Sequence, residues 1–179
     1  MLPALHALAR AARQNVADIL YGALALALGA AMLIGYDSAD DGALRALLWP
    51  HANITGAFYR ITLLYQDGVG YVALERAFVL GPACMGARFI VMLFCMTVCF
   101  FVRRFRGYHK IAFFALSLIG AIAVGILASC VRIIGSVPLL STGQFTAIHA
   151  GTGIVIYLAT LVGVYALINR ATGGSYEKQ

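Results

Sequence analysis

The sequence predicts an all-α membrane protein. It has about four transmembrane helices, both termini cytoplasmic, and a small outer-face hairpin or re-entrant segment before the second span. Two observations carry this. Apolar residues make up 62% of the 179 residues and charged residues only 11%, against roughly half and a quarter in soluble domains; the mean hydropathy is +0.89. The apolar residues also gather into four runs of about 20 to 24 residues, which as helix reach roughly 30 to 36 Å and cross a bilayer. A water-soluble enzyme, a disordered chain and a disulfide-rich secreted module are excluded by the same composition. Residues 1–179 read as one integral membrane domain.

The spans fall at about 16–35, 82–102, 111–134 and 145–168. Each carries one isolated ionisable residue: Asp18, Arg88, Arg132 and His149 in turn. Before the first span, residues 1–15 set Leu2, Leu5 and Leu8 opposite Arg10 and Arg13, which suits a short amphipathic helix on the membrane surface. The first run is long for the apolar region of a cleaved signal peptide, so it reads as an uncleaved signal anchor.

Charge sets the orientation. Arg10 and Arg13 precede the first span. Arg103, Arg104, Arg106 and Lys110 stand between the second and third with no acid among them, and Arg170 and Lys178 follow the fourth. The opposite side holds residues 36–81, with Asp37, Asp40, Asp41, Asp67 and Glu75 against Arg45, Arg60 and Arg76, and an uncharged loop over 135–144. Basic residues collect on the cytoplasmic side. The net charge of +6 therefore reports topology, and no nucleic-acid partner is expected. In 36–81, Asp67-Gly68 lies between β-branched and aromatic runs, a hairpin signal. The segment is expected on the outer face of the membrane and not as a fifth span.

The cysteines are Cys84, Cys95, Cys99 and Cys130. None forms CxxC and no Cys/His set has zinc spacing, so no metal is expected. Cys95 and Cys99 read as small packing residues facing lipid or core.

An ionisable residue inside a span marks a functional position. Pro82 belongs in the first turn of the second span, which puts Cys84 in that turn and Arg88 one turn deeper on the same side. Arg132 lies near the outer end of the third span. Ser141 to Gln144 has the pattern of a capping box, and His149 falls about two turns below it. Cys84, Arg88, Arg132 and His149 thus come from three helices and share the outer third of the membrane. His6, His51 and His109 have no such company. Thiolate is the nucleophilic form of cysteine, favoured by a helix N-terminus and by nearby guanidinium groups. A histidine relays the proton and an arginine holds an oxyanion. Gly151 and Gly153 permit close approach beside His149.

At these residues the chain resembles the exosortase/archaeosortase family of membrane-embedded cysteine transpeptidases, in particular a compact, exosortase K-like member. The resemblance rests on Ala83-Cys84-Met85-Gly86-Ala87-Arg88, Ser129-Cys130-Val131-Arg132-Ile133 and Phe145-Thr146-Ala147-Ile148-His149-Ala150-Gly151, within about 59–168. Met85 stands where the family usually has serine, Ala150 where it often has an acid, and typical members have about eight spans. The resemblance implies catalytic Cys84, Arg132 and His149, a supportive or substrate-binding Arg88, and no cofactor. The implied reaction is cleavage of C-terminal sorting signals through an acyl-enzyme on Cys84, by transpeptidation or proteolysis. The implied partner is an exported protein with a short C-terminal motif, a hydrophobic span and a basic tail. The implied place is a prokaryotic inner membrane, with the active site facing the periplasmic side.

Three other classes compete. A membrane thiol-redox protein needs a second outward cysteine, for which Cys130 is the candidate. A haem or quinone anchor would use His149. A non-enzymatic assembly or channel subunit would not need Cys84.

Overall fold

The computed structural model describes residues 2–74, 78–138 and 145–173, with side chains over 15–74, 78–138 and 150–173. In chain order it contains α1 (Leu2–Asp37), α2 (Asp41–Tyr59), strands β1 (Leu64–Gln66), β2 (Gly70–Ala73) and β3 (Phe78–Leu80), then α3 (Ala87–Phe101), α4 (His109–Ser136) and α5 (Phe145–Gly173). Short 3-10 turns at Pro82–Cys84 and Val102–Arg104 flank α3.

Among the described residues, four segments are long and apolar enough to cross a membrane: Asn15–Asp37, Pro82–Arg104, His109–Ser136 and Ala150–Gly173. They match the four predicted spans, and the protein is membrane-embedded. Leu26, Ile119 and Leu158 on their outer faces are 59%, 64% and 60% exposed, as side chains facing lipid should be. The predicted separate surface helix over 1–15 is not formed. The backbone of α1 runs unbroken from Leu2, because an alanine-rich stretch without glycine or proline separates Pro3 from Gly22 and nothing in it favours a break.

The spans pack through small residues, as helices in lipid must. Ala25 and Gly29 of α1 face α3: Cys95 Sγ lies 3.5 Å from the Ala25 carbonyl, and a Cβ on Gly29 would fall 3.2 Å from the same sulfur. Cys95 is thus a helix-packing residue, and a Cβ on Gly22 would stand 3.8 Å from Cys99 Sγ. Gly125 of α4 receives the Ile90 side chain. Phe89, Leu93, Phe94 and Val98 fill the centre of the bundle.

At one end of the bundle Lys110 of α4 bonds to Asp18 of α1, with the two side chains 7% and 10% exposed. Removing one partner of a buried pair leaves an uncompensated charge. Asp18→Asn is therefore expected to cost about 3–5 kcal/mol, read as a lower midpoint of thermal unfolding in detergent, with most of the loss recovered in Asp18→Asn/Lys110→Met.

At the other end lies the segment before the second span. Asp40 caps α2, its carboxylate accepting from Ala43 N at 2.7 Å, and α2 continues through Pro50 to an αL residue, Arg60. The expected hairpin forms: Tyr65 pairs with Tyr71 and Gln66 with Gly70 across a turn in which Gly68 has φ +72°. Asp41 holds this turn by accepting from Gly68 N at 2.8 Å. A third strand, β3, pairs antiparallel to β2. The inner sheet residues Tyr71, Ala73, Phe78 and Leu80 pack with Leu48 and Ala52 of α2 and Ile133 and Val137 at the end of α4. This apolar cap sits directly against the turn carrying Cys84.

Candidate functional site

Gly81 to Gly86 decides the local geometry. Pro82 opens a 3-10 turn that closes at Cys84, and Gly86 then takes φ +69°, ψ +30° as the N-cap of α3. The second span is therefore broken between Cys84 and Arg88. Cys84 does not occupy the first turn of α3, as the sequence predicted, but the separate turn before it. Arg88 is not one helical turn beneath Cys84 either. It lies in the first turn of α3 with its side chain exposed, because the left-handed residue at Gly86 redirects the chain.

The turn is pinned by side chains from two other helices. Tyr36 of α1 donates to the Pro82 carbonyl. Arg132 of α4 donates through Nη2 to the carbonyls of Ala83 at 3.1 Å and Cys84 at 3.3 Å. Ser129, one turn earlier on α4, donates to the Met85 carbonyl at 3.0 Å. The Gly81 carbonyl accepts from Cys84 N at 2.9 Å. Five consecutive carbonyls around the cysteine are engaged, which holds it in one conformation.

Arg132 is itself enclosed. Its guanidinium lies over the Tyr157 ring of α5, 5.2 Å from the centroid, and a Cβ on Gly153 would come 3.0 Å from its Cδ. Gly153 thus admits the arginine shaft, whereas Gly151 has open space beside it. Tyr157 stacks on Phe89 of α3 at 4.2 Å, and its hydroxyl meets Ser129 Oγ at 3.1 Å.

A cleft of about 530 Å³ opens beside the turn, walled by Tyr36, Ala83, Gly86, Arg88, Arg132 and Tyr157. Arg88 therefore joins the site as part of this wall. The half-buried Cys84 side chain packs toward the apolar cap. A second cleft of about 420 Å³, almost wholly apolar, borders Met85 and runs between Tyr36, Leu47, Ile90 and Ile126.

The His149 side chain and the Ser141–Gln144 capping pattern lie outside the described residues. The backbone at His149 is helical within α5. It stands four residues before Gly153 and eight before Tyr157, so it shares the helix face that meets Arg132. Cys84, Cys95, Cys99 and Cys130 are all free.

No protein-family model matches this chain, nor does any curated protein or solved structure. The reading of the site therefore rests on its residues.

His51 has company after all. It is fully buried on α2, and the residues acting on its ring include Arg132 and the backbone of Met85. Burial pushes its pKa down, Arg132 adds to that, and the backbone groups of Leu47 and Met85 oppose it, so the ring is held toward its neutral form. Tyr36, Ser129 and Tyr157 were likewise not anticipated. Their spacing from Gly86 and Arg132 carries no local signal, although Ser129 and Arg132 at i, i+3 on one helix share a face.

Proposed function

We propose that this protein is a membrane-embedded cysteine acyl-transfer enzyme of the exosortase type, cutting a C-terminal sorting signal from an exported protein through an acyl-enzyme on Cys84. The observation that carries the reading is the contact between spans: Arg132 of α4 binds the backbone of the Cys84 turn and lines the cleft beside it. Among buried arginines this one does not simply pair with an acid. Its guanidinium is directed at the backbone of the strand-to-helix turn that carries Cys84.

The chemistry runs in two steps. The Cys84 thiolate attacks the scissile carbonyl, and Arg132 stabilises the tetrahedral oxyanion. His149, on the α5 face that meets Arg132, takes the thiol proton and returns it to the leaving amine. An amine or water then attacks the thioester, giving transpeptidation or hydrolysis, and Cys84 leaves as thiolate. No cofactor enters. The apolar cleft beside Met85 supplies a surface for the hydrophobic part of such a signal, and the exposed Arg88 on the cleft rim meets its polar part. The charge distribution along the sequence favours the non-cytoplasmic side for this end of the bundle, which for an enzyme of the exosortase type is the periplasmic side of a prokaryotic inner membrane.

The test is processing of a co-expressed exported protein bearing a motif, an apolar span and a basic tail, with the cut and uncut forms read by mass spectrometry. Arg132→Met and His149→Ala are each expected to reduce processing by about a hundredfold or more, and Arg88→Ala by about tenfold or less. Full processing by Arg132→Met removes the mechanism.

A further inference from the structure

At the apolar layer between α2 and α4, buried polar atoms of three side chains have no hydrogen-bond partner. His51 is fully buried and neither ring nitrogen is bonded. Thr55, one helical turn further along α2, is fully buried with Oγ1 unbonded. The Nε of Arg132 is buried and unbonded as well. Around them Leu48, Ala52, Ile133 and Val137 make an ordinary apolar core. An unmade hydrogen bond of this kind costs about 1–3 kcal/mol, and leucine or phenylalanine at position 51 would avoid that loss. The imidazole therefore does something that packing does not require.

We propose that His51 is a positioning residue: it backs the Cys84 turn from α2 and sets the orientation in which Arg132 reaches the Ala83 and Cys84 carbonyls. The inference rests on reading Cys84 and Arg132 as one acyl-transfer site.

The complementarity is specific. Arg132 Nε–H is a donor only, and a neutral imidazole offers one acceptor and one donor. Thr55 adds a hydroxyl that serves as either. His51 and Thr55 share the buried face of α2 with Leu48 and Ala52, and those two pack in one cluster with Ile133, the neighbour of Arg132, and with Cys84 and Met85 of the turn. Arg132 is held at its far end by the turn and on one side by Gly153 and Tyr157. His51 supplies a polar group on the α2 side. Without it the guanidinium has freedom to turn away from the carbonyls during the reaction.

The test uses the full-length protein in detergent, with His51→Phe (shape kept, polarity lost), His51→Asn (polarity kept) and Arg132→Met. The first readout needs no substrate: the rate of Cys84 alkylation by iodoacetamide at fixed pH, resolved by peptide mass spectrometry. The second is kcat and KM on a tailed substrate peptide, and the third is thermal unfolding. His51→Phe is expected to unfold at or above the parent temperature. It should nevertheless slow Cys84 alkylation as Arg132→Met does, and lower kcat by about tenfold with KM little changed. His51→Asn should recover most of both. Parent alkylation and turnover in His51→Phe, alongside slowed alkylation in Arg132→Met, would reduce His51 to packing and overturn the inference. Unchanged Cys84 alkylation in Arg132→Met would instead overturn the pairing of Arg132 with Cys84 itself. Should His51→Phe fail to fold, His51→Leu is judged by the same criteria.

Discussion

Cys84→Ala is expected to abolish processing of a tailed exported protein, a loss of about a thousandfold or more, with the protein still folded and inserted. The sulfur forms the covalent intermediate, and no other described cysteine can replace it. Cys95 bonds toward α1 and Cys130 is buried in α4, while Cys99 stands one turn beyond Cys95 on α3. Removing the thiol barely disturbs the turn, because the groups that pin it act on backbone carbonyls of Pro82, Ala83, Cys84 and Met85 and not on the sulfur. Thermal unfolding should therefore stay near that of the parent. Cys95→Ala and Cys99→Ala should process substrate normally. A thiol-redox protein would lose function in Cys84→Ala as well, but would also require Cys130. A channel or assembly subunit would lose nothing. Comparing Cys84→Ala with Cys130→Ala on one substrate separates the three.

Gly86→Ala is expected to damage both the fold and the site through one added methyl group. At φ +69° an L-residue is strained by about 1–2 kcal/mol. The added Cβ would also stand 2.5 Å from Ser129 Oγ and 2.6 Å from Tyr157 Oη, an overlap that costs about 1–3 kcal/mol more to relieve. The relief would push Tyr157 off its stack with Phe89 and out from under Arg132. Both stability and processing should fall, the latter even in the molecules that remain folded. Gly120→Ala is the control: that glycine is in α4 and nothing stands within 4 Å of its added Cβ. It should unfold at the parent temperature or slightly above, since alanine favours helix. Equal behaviour of the two variants would mean that the packing around Gly86 does not hold the site.

What was legible in the sequence follows from how local each signal is. A span needs only a run of apolar residues, so all four spans could be read directly. The Asp67-Gly68 hairpin was equally local. Helix α2 was harder to see: it holds Pro50, His51 and Asn53, and it is stabilised by a cap at Asp40 and by burial under the sheet. Depth in the membrane correctly brought Arg132 to Cys84. The four-residue count that set Arg88 beneath Cys84 failed, because it assumes a continuous helix and Gly86 interrupts it, although Arg88 still lines the cleft with Arg132. Depth failed for His51, whose burial exists only once α2 has folded over the end of α4. A histidine's surroundings depend on tertiary packing, and no spacing rule reports them.

The account's central claim is that Cys84 becomes acylated. The direct measurement is intact-protein and peptide mass spectrometry after brief exposure to a tailed substrate, quenched in acid to preserve thioesters. A mass increase equal to the N-terminal fragment of the substrate, located on Cys84 and released by hydroxylamine, is the predicted result. Cleavage of the substrate with Cys84 unmodified throughout, or with the adduct on another residue, would contradict it.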